Sequence, residues 1–304
     1  LAGGDAHIFT LHRIVPNPHY NTEITPAQLE SILYYCVKNN YQIVTIPQLL
    51  EMVQRGVNLN KVVAFTFDDG YQSVYKVAYP IFKKYHAPFT LLLYVKAIEE
   101  KVPGYLTWKQ IKELQKNGIA IGIHSYTHPV IPHLSPARIQ QDMWKAKEVM
   151  AKHLPQFFQI FAYPYDYSTD WSDRIIAPYF PVILHGSFTP INKYSPPTKW
   201  GRYEYDGNFP YFLWVLKENY LPVRLSRFQN KTNKKWYWKG QIVGKFKPPK
   251  VKVRIQKGVR RPIILFNRWV KVDENGTFYL PFSRPLRGSI VVVKYRNYYW
   301  RERF

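Results

Sequence analysis

The run Val62-Val63-Ala64-Phe65-Thr66-Phe67 ends in two adjacent carboxylates, Asp68 and Asp69, followed by Gly70. Six apolar or β-forming residues predict a buried strand, and two carboxylates at its end are costly to bury without positive charge beside them. Strand side chains alternate faces, so neighbouring aspartates address one site only where the strand breaks, and Gly70 supplies that break. A metal on one carboxylate and a proton on the other is the economical chemistry. The plain alternative is an Asp-Asp-Gly turn that merely closes a strand. A second pattern is Ile121-Gly122-Ile123-His124-Ser125-Tyr126-Thr127-His128. Two imidazoles four residues apart can meet on one ion, and an added carboxylate completes a two-His, one-Asp set with positions left open for water, as in a catalytic site. Taken singly, each histidine is more often an ordinary surface or core residue. Their occurrence together at strand ends favours the metal.

The elements that must carry these residues alternate between β-type runs and helical patterns from His7 to His185. Helix starts are marked by the capping boxes Thr25-Pro26-Ala27-Gln28 and Thr107-Trp108-Lys109-Gln110, and by Ser135-Pro136. Such alternation implies parallel strands covered by helices. His12, Asp68-Asp69, His124, Tyr163-Pro164-Tyr165 and His185 all end apolar runs. Alternation of strand and helix allows an open doubly wound sheet or a β/α barrel, but polar groups at the ends of many parallel strands converge only if the sheet curls, so the expected fold is α/β, a β/α barrel whether closed or incomplete. Beyond residue 220 the helical period gives way to short strands punctuated by Lys257-Gly258, Glu274-Asn275-Gly276 and Arg287-Gly288, which predicts a small antiparallel β-sandwich. The expected domains are 1–219 and 220–304.

Charge follows the same division. Residues 220–304 hold 22 Lys+Arg against 3 Asp+Glu, whereas residues 1–219 hold 21 against 17. The second segment is therefore expected to have an electrostatic partner of its own. At 46% apolar and 21% charged residues the chain is neither disordered nor a polytopic membrane protein. No stretch approaches the roughly 18 apolar residues of a membrane-spanning helix. The single cysteine, Cys36, excludes an internal disulfide and a thiolate cluster, and its helical spacing with Leu29, Ile32 and Leu33 assigns it to packing. The chain opens on Leu1 with no charged-then-apolar leader in view, as a mature or trimmed form would, which leaves export open.

Thr66-Phe67-Asp68-Asp69-Gly70 with His124-Ser125-Tyr126-Thr127-His128 resembles the first two signatures of the NodB-type polysaccharide deacetylases, carbohydrate esterase family four. The stretch from His12 to Tyr165 is similar to the biofilm poly-N-acetylglucosamine deacetylases, through Leu11-His12-Arg13, Phe67 to Ser73, Leu106-Thr107-Trp108 and Phe161 to Tyr165. The resemblance implies a deformed (β/α) barrel, here followed by the small basic all-β domain. It also implies one divalent ion per chain, zinc first and cobalt, nickel or iron next, on Asp69, His124 and His128. Asp68 is then the base, and the backbone N–H of Tyr165 an oxyanion donor. Two histidines are candidates for the acid: His12, matching the biofilm signature and favoured by spacing, and His185, in a Leu-x-His pattern. The implied reaction removes acetyl groups from N-acetylglucosamine residues of a polysaccharide in a secreted, periplasmic or cell-surface setting.

Where many relatives have Arg-x-Pro-Tyr-Gly, this chain reads Ala162-Tyr163-Pro164-Tyr165-Asp166, without the Arg and with Asp in place of Gly. Asp166 is expected either to hydrogen-bond a substrate hydroxyl or to repel the base. Trp108, Tyr126, Tyr163 and Trp171 are candidate sugar-stacking faces. In the basic segment, Lys234 to Lys239 and Arg296 to Arg301 interleave cations with aromatics, which suits an anionic cell-surface polymer or lipid headgroups better than nucleic acid. A carbohydrate- or surface-binding protein with little turnover is the alternative reading, motivated by Asp166 and this segment.

Overall fold

The computed structural model describes residues 5–259, 261–284 and 286–304. It divides into two compact units, one ending at Lys217 and one running from Glu218 to Phe304.

In the first unit a parallel sheet runs in the order Trp200–Gly201, Val182–His185, Ile160–Ala162, Ala120–Ile123, Thr90–Leu93, Val62–Asp69, His7–Leu11, Tyr203–Glu204, with Gln42–Val44 also pairing to Val62–Asp69. Two of these strands are halves of one segment. Trp200 and Gly201 pair with Leu184 and His185, while Tyr203 and Glu204 pair with Phe9 and Thr10 on the other edge. Arg202 lies between them and donates its N–H to the His185 carbonyl at 2.8 Å. A segment of five residues thus brings the two edges together in a nearly closed barrel. The curled sheet expected from the strand-end polar residues is what the chain forms.

Period-2 alternation sorts the strands into two buried sets. Ile8, Ala64, Leu92, Ile160, Ala162, Leu184 and Trp200 pack together in one. Phe9, Val63, Phe65, Phe67, Leu91, Ile121, Phe161 and Ile183 pack with helix residues in the other. The helices start where their caps predict: Thr25 and Thr107 form reciprocal boxes with Gln28 and Gln110, and Ser135 caps Pro136–His153. Cys36 is buried in helix Pro26–Lys38, and burial pushes its thiol pKa up, as a packing residue requires. The segment after Gly70 contains a π-turn, Val74–Ala78, running into helix Tyr79–Lys84. Pro80 lacks an N–H, and the extra residue in the turn absorbs the lost bond.

The second unit is all-β. Asn219–Tyr220, Tyr298–Arg303, Ile290–Tyr295, Lys250–Lys257 and Ile263–Lys271 form one sheet, antiparallel except for the first pair, and Val223–Gln229, Trp236–Ile242 and Thr277–Leu280 form another. Val253, Val291 and Trp300 from the first sheet share a core with Trp238, Ile242 and Phe278 from the second, as in a sandwich. Among the described residues no helix is long and apolar enough to cross a membrane.

Candidate active site

Strand Val62–Asp69 turns Ala64, Thr66 and Asp68 to the same side, and Asp69 by alternation to the other. The backbone reverses that at the last residue: Asp69 has φ 76° and Gly70 φ 96°. The break expected at Gly70 therefore begins one residue earlier, and both carboxylates reach one region. The Gly70 N–H closes the turn on the Asp68 carbonyl at 3.0 Å.

The histidines arrive on a turn with left-handed residues at both ends, Ser125 at φ 65° and His128 at φ 57°. Hydrogen bonds from within the turn and from a neighbouring helix hold it. The His128 N–H donates to Ser125 Oγ at 2.9 Å, and the carboxylate of Asp142, on helix Pro136–His153, accepts the N–H groups of Tyr126 at 2.7 Å and Thr127 at 3.1 Å. Sequence reasoning missed Asp142, which lies among ordinary helix residues and betrays itself only by being buried. Because it fixes the loop that carries both imidazoles, Asp142→Ala is expected to weaken affinity for added zinc or cobalt about 10–100-fold. Metal titration of the purified variant checks this, and unchanged affinity would mean that the turn holds itself.

Asp69 Oδ1 lies 3.1 Å from His128 Nε2 and 3.4 Å from His124 Nε2. The three ligating atoms all lie within 4.8 Å of one another. His124 Nδ1 sits 2.8 Å from the Ala162 carbonyl, which only accepts, so that nitrogen carries the hydrogen and the Nε2 lone pair faces the cluster. Burial pushes the His124 pKa down, favouring the neutral ring that a metal needs. Burial pushes Asp69 up, but His128, His124 and His12 outweigh it and hold the carboxyl far below the usual range. Asp69 Oδ1 is buried and has no hydrogen-bond partner among the described residues. A buried carboxylate oxygen beside two imidazole Nε2 atoms is a donor set that suits a divalent cation.

Asp68 is held differently. Arg202 NH1 and NH2 grip its two oxygens at 2.7 and 2.8 Å, and NH1 also donates to Thr66 Oγ1 at 3.1 Å. Burial pushes Asp68 up, yet the Arg202 guanidinium, with His124 and His12, leaves its pKa below the usual value. Arg202 is missing from every sequence expectation, because nothing in the letters 200–204 marks a strand.

Asp166 does not repel Asp68 unopposed. Its Oδ1 accepts from Arg202 NH2 at 3.0 Å, so one guanidinium serves both carboxylates. Tyr165 and Asp166 are both left-handed, at φ 60° and 52°. The space Asp166 takes up is the one Gly186 leaves, since a Cβ there would lie 2.1 Å from the Asp166 Cβ.

A cavity of about 440 Å³ opens over these groups, lined by Asp69, His124, His128, His12, Tyr165 and Asp166. Tyr71, Tyr94 and Tyr105 line it as well. Asp68 lies just behind, its Oδ2 3.8 Å from His12 Nε2 and 3.9 Å from His124 Nε2. Tyr165 is 65% exposed, its ring 4.7 Å from that of His128.

The structure places other candidates elsewhere. His185, offered by its Leu-x-His pattern as an acid, is buried with Nδ1 3.0 Å from Ser168 Oγ and Nε2 3.1 Å from the Thr198 carbonyl and 3.3 Å from Asp173 Oδ1. Both nitrogens are taken, and the residue is outside the cavity lining. Tyr163 is wholly buried and donates to Asp173 at 2.6 Å. Trp108 stacks on His153 at 4.3 Å, Tyr126 donates to Glu99 at 3.2 Å, and Trp171 packs on the core. None of these four rings lines the cavity. The aromatic rings that line it are instead Tyr71, Tyr94, Tyr105 and Tyr165.

Residues 55–177 match the family model for polysaccharide deacetylase. YxkH of Bacillus subtilis, whose name assigns it to the polysaccharide deacetylases, is 33% identical over 142 residues, 46% of this chain and 50% of that protein. The poly-β-1,6-N-acetyl-D-glucosamine N-deacetylase of Staphylococcus aureus is 24% identical over 163 residues, 49% of this chain and 56% of that protein. The chain thus spans about half the length of these relatives. The structure of IcaB from Ammonifex degensii superposes with a TM-score of 0.58 at 26% identity, covering 67% of this chain and 92% of that one. The Streptococcus pyogenes deacetylase PplD, solved with acetate, gives a TM-score of 0.65 at 24% identity over 71% of this chain and 99% of its own. The curled parallel sheet and the two motifs at its mouth thus lie in a chain whose residues 55–177 match the polysaccharide deacetylase model and whose first unit is similar in fold to the IcaB and PplD structures.

Proposed function

We propose that the chain hydrolyses the N-acetyl amide of N-acetylglucosamine residues in a polysaccharide, poly-β-1,6-N-acetylglucosamine first, outside the cell or at its surface. The observation that supports this most is the division of labour between adjacent carboxylates: Asp69 faces two imidazoles, while Asp68 is fixed by Arg202. A divalent ion, zinc by its donor set, supplies Lewis acidity and a water of lowered pKa when held by Asp69, His124 and His128.

The chain's own groups do the rest. Arg202 keeps Asp68 ionised and aimed, and Asp68 takes the proton lost as water adds to the amide carbonyl. The Tyr165 N–H faces the oxygen on which charge develops. His12, opening on the same cavity, gives a proton to the departing nitrogen, so that acetate and a free amine leave. Its Nδ1 is buried and has no hydrogen-bond partner among the described residues. Tyr71, Tyr94 and Tyr105, packed on one another along the same cavity, offer apolar ring surface to the sugar.

The test is metal analysis paired with acetate release from defined β-1,6 and β-1,4 N-acetylglucosamine oligomers. One bound ion per chain and turnover abolished by chelator and restored by zinc are expected. His12→Ala is expected to lose about 10²–10⁴-fold in turnover, whereas His185→Ala loses stability with turnover retained in the folded fraction. A metal-replete protein that releases no acetate from either oligomer would overturn the proposal. Glycan binding without turnover in that protein would point to the binding-protein reading.

A further inference from the structure

The second unit holds a cleft of its own. In the sheet formed by Val223–Gln229, Trp236–Ile242 and Thr277–Leu280, Leu225, Gly240 and Phe278 stand in register on the core side. Alternation puts Phe228, Tyr237, Lys239 and Tyr279 on the opposite face. The Phe228 ring lies 5.9 Å from Tyr237 and 5.5 Å from Tyr279, and with Asn230, Leu280 and Pro281 the three rings line an open cavity of about 450 Å³. Tyr279 is 54% exposed there.

The loop beside it is built rather than loose. The Asn230 side-chain oxygen accepts the N–H groups of Thr232 and Asn233, the Lys234 N–H donates to the Asn230 carbonyl, and the Lys235 N–H to the Asn233 side chain. Asn233 Nδ2 in turn donates to the Tyr237 hydroxyl at 2.9 Å, tying the loop to the aromatic face. The result presents Lys231, Lys234 and Lys235, all exposed, next to the rings, with Lys239 opposite Tyr279 in the register. None of these four lysines forms an ion pair among the described residues. From Glu218 onward the chain carries 22 Lys+Arg against 4 Asp+Glu.

Ring faces on one side of a sheet pack on the flat C–H surfaces of sugars, and uncompensated cations beside them select a polymer of negative charge. We propose that this cleft is a binding site for an anionic polysaccharide, one bearing carboxylate or phosphate on its sugars, with Tyr237 and Tyr279 taking the sugar rings and Lys231, Lys234, Lys235 and Lys239 the charges. A deacetylated glucosamine polymer is cationic and would be repelled by this unit. The occupant is therefore a different glycan from the substrate proposed above, and only this last step rests on that reading.

The test uses the full chain and immobilised polygalacturonate as probe, with its methyl ester as the same backbone uncharged and inorganic polyphosphate as charge without sugar. Polygalacturonate is expected to bind with a strong inverse dependence on salt, and the methyl ester at least about tenfold more weakly. Tyr279→Ala, at an exposed position, is expected to weaken polygalacturonate about tenfold and polyphosphate hardly at all. The quadruple change of Lys231, Lys234, Lys235 and Lys239 to Gln is expected to abolish both. Acetate release from short soluble oligomers stays at the parent level in both variants, so failure of this site and failure of the deacetylase reading are told apart. Equal binding of the methyl ester, or a Tyr279→Ala variant that binds polygalacturonate as the parent does, overturns the site. So does duplex DNA or an anionic vesicle bound more tightly than polygalacturonate, which would make the surface a reader of another polyanion.

Discussion

Asp68→Asn is expected to cut acetate release by about 10²–10⁴-fold while leaving the affinity for zinc within about threefold of the parent. The amide keeps the carboxylate's shape, and its oxygen still accepts one N–H from Arg202, but it takes no proton from water. Arg202 retains Asp166 as a counter-charge at 3.0 Å, so the buried guanidinium is not stranded. The affected quantity should be kcat, with KM little changed, because the substrate meets Asp68 only as the reaction proceeds. Turnover within tenfold of the parent would mean that another group, His12 being nearest at 3.8 Å, takes the proton.

Arg202→Met is expected to destabilise the first unit by about 3–5 kcal/mol, the other large effect. The substitution keeps much of the volume and removes the charge that compensates Asp68, which is 2% exposed, and Asp166 beside it. Two carboxylates then face each other and one must take up a proton, so the base is lost along with the stability. Arg202→Lys should rescue little, since an ammonium cannot present the parallel pair of N–H groups that now meets both Asp68 oxygens at 2.7 and 2.8 Å. Chemical denaturation, with acetate release measured on the folded fraction, checks both variants. A loss of under about 1 kcal/mol for Arg202→Met would place the pair among weakly coupled surface-like charges.

What the letters made legible was local. Asp68, Asp69 and His124 lie at the ends of apolar runs, with His128 four residues further on, and a strand end is a place that periodicity finds. Thr25, Thr107 and Ser135 announced their helices because a cap is a contact between residues three apart. Arg202 could not be found this way. It acts on a residue 134 positions earlier, from a segment too short to show a period. The aromatic candidates failed for a related reason. Trp108 and Tyr126 lie next to motifs in sequence, but the turns aim them at His153 and Glu99. Tyr71 falls inside the Phe67 to Ser73 motif without a role of its own there, and among 25 tyrosines nothing distinguished Tyr94 and Tyr105 beforehand. The π-turn at Val74–Ala78 was hidden in the same way, its only sign being a proline inside an otherwise helical pattern.

The bent segment that closes the barrel also imposes an order on synthesis. While the ribosome is still making residues before 200, Asp68 has no guanidinium to meet, and the two sheet edges that Trp200–Glu204 will join are bare. Docking of that one segment therefore joins the sheet edges and supplies the counter-charge of Asp68 together.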